Sequence, residues 1–321
     1  MRKALLVGSV AFDYIMRVFP TIRKEIPLKN GKIEALNMAF VSDSLVVHRG
    51  GTAGNIAFGV AFLGGNAILH SVVGRDFMQD YGRALSAYGV ELAVKTYEDY
   101  ESARAYMISD VNNEQIIIWQ PNAIKFLEET DMRAHIAYPR GVVIACFSPG
   151  NAESTLNGMR STKELDSKIF QLFSPGQMVQ TYSREQYWEA IGHSDAIVMN
   201  DAEWLKAERF EAGYSTLATN HPEKVLIETL GEKGSRFSIQ NETFQLGIAR
   251  PDRLIEVTGA GDAFCAGLIK GFLDGKNWKD AGKLGASLAS FCVQDNGAQN
   301  FGKYSASAIY DRAKTVKTIQ G

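Results

Sequence analysis

The chain has 321 residues, 45% of them hydrophobic and 22% charged, an ordinary composition for one large α/β domain or two small ones. Its 34 basic and 36 acidic residues nearly cancel, so neither nucleic acid nor an anionic membrane is expected as the main partner. Cys146, Cys265 and Cys292 are far apart and form no CxxC pair, which argues against a zinc site or disulfide framework. Each lies in an apolar run and is expected to be a reduced core residue.

The N-terminus, MRKALLVGSVAFDYIM, has the basic start and apolar run of a signal peptide. Gly8, Ser9 and Asp13 interrupt it and no small-residue cleavage site follows. A buried strand over residues 4–10, ending at Gly8-Ser9, is expected instead. No apolar stretch reaches about 18 residues, so no membrane-spanning helix is expected, and a cytoplasmic location is inferred. Asp13 falls just past the strand end, where open α/β sheets bind ligands. It is a candidate for gripping a hydroxylated substrate, with a turn or cap aspartate as the alternative.

Residues 14–49 are less regular, with short strands expected at 39–41 and 45–47 around Ser42-Asp43-Ser44. Next comes Arg49-Gly50-Gly51-Thr52-Ala53-Gly54-Asn55, opening a helix over 56–63 that stops at Gly64-Gly65. Small residues let a ligand approach the backbone, and the Asn55 amide offers both donor and acceptor to a sugar diol. Tight helix-to-sheet packing is the alternative. His48 adjoins this loop; the five histidines otherwise show no metal-ligand spacing.

A strand over 67–73 and a helix through Tyr88-Gly89 follow. Strands at 90–97, 103–109 and 115–119, with a hairpin turn at Asn112-Asn113, then break the βα alternation. This β-rich insert is expected to form a lid or a dimer contact. Tyr106 and Trp119 are candidates for a flat ligand face or, alternatively, for packing the sheet. The βα rhythm returns with strands at 141–147, 169–173, 196–200 and 225–229. After three of them come polar or glycine-rich clusters, Ser174-Pro175-Gly176-Gln177, Asn200-Asp201-Ala202-Glu203-Trp204 and Thr229-Leu230-Gly231-Glu232-Lys233-Gly234. A hairpin over 237–246 leads to the most informative stretch.

There a strand-like approach, Leu254-Ile255, runs into Glu256-Val257-Thr258-Gly259-Ala260-Gly261-Asp262 and a helix over 263–273. A glycine turn at a helix N-terminus presents open N–H groups and the positive dipole end, a site for phosphate. The Asp262 carboxylate beside it makes sense if it takes a proton from a hydroxyl while the amides hold the phosphoryl group that hydroxyl attacks. A helix with an acidic first turn is the plain alternative. Helices over 278–293 and 305–315, separated by the Asp295-Asn296-Gly297-Ala298 turn, complete the chain. GxxxxGK[ST], GxGxxG after the first strand, HExxH and nucleophile-elbow patterns are absent from the sequence.

Four motifs taken together, Gly50-Gly51…Asn55, Asn200-x-x-Glu203, Thr229-x-Gly231-x-x-Gly234 and Gly259-Ala260-Gly261-Asp262, resemble in order and spacing the ribokinase-like carbohydrate kinases of the PfkB superfamily. Residues 48–55 and 200–204 resemble the bacterial adenosine kinases within it. The resemblance implies a single Rossmann-like three-layer α/β/α domain over 1–321, with a small β-sheet lid drawn from segments within about 14–49 and 90–119. It implies an ATP- and Mg²⁺-dependent phosphotransferase acting on the 5′-hydroxyl of a nucleoside, adenosine first, with a sugar kinase or a non-catalytic nucleoside-binding regulator as the alternatives. A homodimer through the lid is expected for a separate reason, because an exposed β-layer has edges that need covering. Asp262 would be the general base, with Gly259, Ala260 and Gly261 supplying the anion hole. Ser9, Asp13, Gly50, Gly51, Asn55, Trp119 and Gln177 would border the substrate. Asn200 and Glu203 would organise phosphates and Mg²⁺, Glu203 through water. Thr229, Gly231, Gly234, Asn296, Gly297 and Ala298 would border ATP. Glu256 stands where the family usually has aspartate, near a monovalent-cation site, which leaves K⁺ dependence open. Ser174 stands where the family often has a carboxylate.

Overall fold

The computed structural model describes residues 1–26, 28–29, 32–33, 38–112, 114–135, 140–148 and 150–319. A ten-stranded sheet forms the body. In spatial order it runs Thr318–Ile319, Glu242–Leu246, Ser235–Ile239, Val225–Thr229, Ala196–Asn200, Phe170–Phe173, Val142–Phe147, Lys3–Val7, Asn66–Gly74 and Glu91–Tyr97. The run from Val225–Thr229 to Glu91–Tyr97 is parallel. Its strands are continuous apolar runs because both faces are covered. Along the first strand, Ala4 and Leu6 join one core cluster while Leu5 and Val7 join the other. Helices Thr52–Phe62, Ala260–Leu273 and Trp278–Cys292 cover the first face, and Ala152–Leu165, Arg184–His193 and Asp201–Ala207 the second. This is the expected three-layer architecture. Cys146, Cys265 and Cys292 are all buried, as expected. Among the described residues no helix is long and apolar enough to cross a membrane.

A second sheet of four strands, ordered Val41–Gly50, Ala11–Phe19, Ala103–Ser109 and Gln115–Gln120, forms the lid. Its composition corrects the sequence reading in three places. Residues 91–97 belong to the body: they pair in parallel with Asn66–Gly74 after the Tyr81–Ala87 helix, as the last strand of a βαβ unit. Asp13 lies inside a strand, because the chain re-enters extended structure at Ala11 and leaves the body for the lid. Residues 41–50 form one strand through Ser42-Asp43-Ser44. Val41–Val47 is exposed on both faces, so no alternation marks it in the sequence. Asn113 of the expected hairpin turn lies outside the described residues.

In the second half the expected hairpin forms and the expected strand at Leu254-Ile255 does not. Ser235–Ile239 and Glu242–Leu246 pair about a two-residue turn at Gln240-Asn241, both with positive φ. Leu254 and Ile255 form no strand; with Val257 they are exposed in an irregular segment tied to the Val293 carbonyl. That segment leads to the Ala260 helix, while the sheet edge is filled by the two antiparallel strands and Thr318–Ile319.

Candidate active site

The site lies where the lid meets the carboxyl ends of the parallel strands. Val7 ends the first strand, and the turn after it places Ser9, whose hydroxyl accepts from the Thr52 N–H at 3.2 Å. The Ser9 carbonyl accepts from the Gly54 N–H, also at 3.2 Å. The first turn of the Thr52–Phe62 helix is thereby pinned to the start of the lid. Gly51 caps that helix, and Asn55 is buried one turn in. A side chain at Gly50 would collide with the Asp13 carboxylate, so the loop and Asp13 are in close contact.

Gly259 caps the Ala260–Leu273 helix with φ +82°. A Cβ there would strike Ala298, so this glycine answers both a backbone conformation and a close approach. The approach joins two motifs far apart in sequence. The Cys292 thiol lies 3.6 Å from both the Thr258 and Ala298 carbonyls, within the reach of a weak S–H donor. Asn300 Nδ2 lies 2.7 Å from the carbonyls of Cys292, Asp295 and Gly297 and shapes the second turn. Gly259→Ala is expected to destabilise the protein by on the order of 2–4 kcal/mol, from strained φ plus overpacking. Urea unfolding measures it, and an unchanged midpoint would remove the close-approach argument.

Asp262 sits in the first turn of that helix, and its Oδ2 accepts from Asn55 Nδ2 at 2.8 Å. The Gly261 and Asp262 amides have no carbonyl inside the helix to donate to. Ala260 differs from expectation, because its N–H already donates to the Val257 carbonyl at 3.2 Å. Burial pushes the Asp262 carboxyl up to about 7; the Asn55 hydrogen bond opposes this, and the charges of Asp13 and Glu203 add to it. Asp13 is likewise pushed up to about 7 by burial and then by Glu256. The site thus holds two carboxylates poised near neutrality.

Asn200 and Glu203 form a capping box on the Asp201–Ala207 helix, the Glu203 N–H donating to Asn200 Oδ1 at 2.8 Å and the Asn200 N–H to Glu203 Oε2 at 3.0 Å. Burial raises the Glu203 carboxyl. Thr229 is the register partner of Asn200 on the next strand. Gly231 opens the turn that follows, and Gly234 packs against the Leu246 carbonyl, which explains its lack of a side chain by packing. Gly297 is buried under the His48 ring, and its N–H faces Glu256 Oε2 at 3.4 Å; Ala298 is buried and Asn296 exposed. The 295–298 turn therefore links the lid, through His48, to the glycine turn, through Ala298.

Trp119, Ala105, Asp13 and His48 are register partners across the lid. Residues so paired share a face, so Trp119 presents its half-exposed ring on the side that carries Asp13. Tyr106 is on the other face, stacked on Tyr14 at 5.2 Å, so it is not part of this surface. Gln177 is exposed on a short turn packed against the Asp201–Ala207 helix. A cleft of about 410 Å³ bordered by Asp201, Ala202, Trp204, Tyr214, Glu228 and Arg236 opens beside the Asn200–Glu203 capping box.

Sequence reasoning missed Tyr81 and Gln299. Gln299 Nε2 lies 3.0 Å from Asn55 Oδ1 and 2.6 Å from the Tyr81 hydroxyl. Neither residue sits in a recognisable motif; the one available signal was Gly54, whose missing side chain makes room for Tyr81.

Comparison with known proteins gives this geometry a family. The pfkB family carbohydrate kinases match over residues 33–303. A nucleoside kinase of Methanocaldococcus jannaschii is 29% identical over 93% of both chains. A nucleoside kinase of Methanothermobacter thermautotrophicus is 28% identical over 93% of this chain and 91% of that one. The crystal structure of the M. jannaschii enzyme, an archaeal member of the ribokinase family, superposes with a TM-score of 0.84 over 98% of this chain and 99% of that one, at 26% identity. A Burkholderia thailandensis nucleoside kinase in complex with inosine superposes with a TM-score of 0.82 over 97% of both chains, also at 26% identity. The chain, with its ribokinase-like body and lid, belongs to the pfkB family of carbohydrate kinases.

Proposed function

We propose that the protein is an ATP-dependent nucleoside kinase that phosphorylates the 5′-hydroxyl, with adenosine as the expected substrate and AMP as the product. The observation that carries this is the Asp262 carboxylate at the mouth of the glycine turn, hydrogen-bonded to Asn55 from the sugar-binding loop. Two relatives that match over nearly the whole chain are nucleoside kinases.

In this reading Asp13, Asn55 and the Gly51 backbone hold the ribose hydroxyls, and Ser9 and Gly50 shape the loop around them. Asp262 takes the proton from the 5′-hydroxyl as the oxygen attacks the γ-phosphorus, whose bond to the β–γ bridging oxygen breaks to release ADP. With its carboxyl near 7, it is poised to accept a proton at neutral pH. The amides of Gly261 and Asp262, with that of Gly259, face the charge on the transferring group. Positioning and charge stabilisation supply most of the rate in phosphoryl transfer. Thr229, Gly231, Gly234 and the 296–298 turn border ATP. Trp119 offers a ring for the base, and Gln177 would border the substrate.

Mg²⁺ fits this donor set. Among the described residues no group of three or more acids, histidines or cysteines could hold a metal alone. Mg²⁺ asks for less, since it is held by one or two carboxylates, phosphates and waters. Glu203, with one carboxylate oxygen outside its capping box, and Asn200 would hold it through water. Bound there, it would neutralise phosphate charge.

The experiment is a phosphorylation panel with Mg-ATP and adenosine, inosine, guanosine, cytidine, ribose and fructose. Adenosine is expected to give the highest kcat/KM. Phosphorylation of the free sugars alone would replace this reading by a sugar kinase. That alternative has one observation in its favour, since the diol-binding residues do not require a base.

A further inference from the structure

One chain of hydrogen bonds, buried at Tyr81 and partly buried beyond it, ends on Asp262, and its far end is a backbone carbonyl. Tyr81 is fully buried, and its hydroxyl donates to the Gly50 carbonyl at 3.0 Å. A carbonyl only accepts, so the phenolic proton is committed there and the phenolic oxygen becomes an acceptor. Gln299 Nε2 lies 2.6 Å from that oxygen and 3.0 Å from Asn55 Oδ1. Only an NH₂ group can donate to both, so the Gln299 amide has one allowed orientation. Asn55 then accepts on Oδ1 and must turn Nδ2 toward Asp262 Oδ2, at 2.8 Å. Amide oxygen and nitrogen are nearly the same size, so shape alone would not select this orientation. The Gly50 carbonyl selects it, three links away. The relay also has space made for it, because a side chain at Gly54 would run into the Tyr81 hydroxyl.

We propose that Tyr81 and Gln299 are positioning residues that lock the Asn55 amide with its N–H toward Asp262, holding the base ionised and tying it to the loop that carries Gly50. The inference rests on Asp262 being the general base. In the flipped orientation Asn55 Oδ1 would face the carboxylate, and the ionised form would lose a donor and gain a repulsive dipole. The other groups acting on Asp262 are all acidic: Asp13 from the lid and Glu203 from the Asp201–Ala207 helix raise it. The Cys146, Cys265 and Cys292 thiols and the Tyr81 hydroxyl also face it, each held protonated by burial. Asn55 thus donates the side-chain hydrogen bond that, together with the N-terminus of the Ala260–Leu273 helix, offsets burial and the acidic groups around Asp262.

Two variants test this on the purified full chain. Tyr81→Phe keeps the ring and removes the anchoring hydroxyl; Gln299→Met keeps the length and removes both donors. The readout is the acid limb of kcat/KM against pH with Mg-ATP and adenosine, or whichever acceptor the panel identifies. The limb belongs to the coupled Asp13–Asp262 pair. Each variant is expected to move it upward by about one pH unit, the worth of a hydrogen bond to a charged group. The kcat plateau at high pH should stay within about threefold, because the base still ionises there. If one variant fails to fold, the other gives the same readout. An unmoved limb overturns the proposal, whether activity is intact or lost equally at every pH. Asp262→Asn separates the two levels. If it retains turnover, the base assignment fails. If it loses turnover while both relay variants keep the wild-type limb, only the relay fails.

Discussion

Asp262→Asn is expected to lower turnover by about 100- to 10,000-fold, the usual worth of a positioned general base. Nucleoside affinity should remain within about threefold of wild type. The asparagine keeps the size of the side chain and an oxygen that can still accept from Asn55, so the Ala260–Leu273 helix and the glycine turn are preserved. What it loses is the ability to take a proton. Single-turnover phosphorylation separates chemistry from binding, and isothermal titration with adenosine reports the affinity. Turnover within about tenfold of wild type would remove Asp262 from the base role and leave it as an acidic first-turn residue that favours the helix. Loss of affinity in parallel with turnover would point to a binding role instead.

Much of this site was legible in the sequence because its parts are local. Gly259-Ala260-Gly261-Asp262 must form a turn at a helix start whatever lies around it, and Asn200-x-x-Glu203 builds its capping box from four consecutive residues. The buried parallel strands were legible for a related reason, since continuous apolar runs between glycine-rich turns admit few other readings. Features that depend on long-range placement were not. Asp13 is expected just past the first strand and lies inside a second one, because a strand that leaves one sheet to enter another carries no mark at the crossing. Residues 41–47 carry no alternation because both of their faces meet solvent. Gln299 and Tyr81 are separated by 218 residues and meet through side chains alone. The Ala260 amide differs for another reason: the sequence marks the turn, but the turn's own geometry closes this N–H onto the Val257 carbonyl.

The same burial that tunes the site also makes it a source of instability, and Asp13 is where this can be measured. Its carboxyl rises from 3.8 to about 7 on folding, driven by burial first and by Glu256 second. Between those two values the folded protein holds a proton that the unfolded chain has released. Stability therefore falls as pH rises through this window, and the whole penalty is present above about 7. Asp13→Asn removes the titration, so it should stabilise the protein at pH 8 and do so much less at pH 5. A three-unit shift sets an upper bound of about 4 kcal/mol. Asp13 is only partly buried, which brings the expected gain at pH 8 to about 2 kcal/mol. For a chain of this length that is a rise of about 3 °C in Tm. At pH 5 the gain should drop below half of that. Calorimetry on the ligand-free protein at the two pH values decides the matter. An equal change at both would assign the effect to packing around Gly50 and not to the buried charge. The ribose-binding role proposed for Asp13 predicts the accompanying cost, a loss of nucleoside affinity in the variant that is more stable.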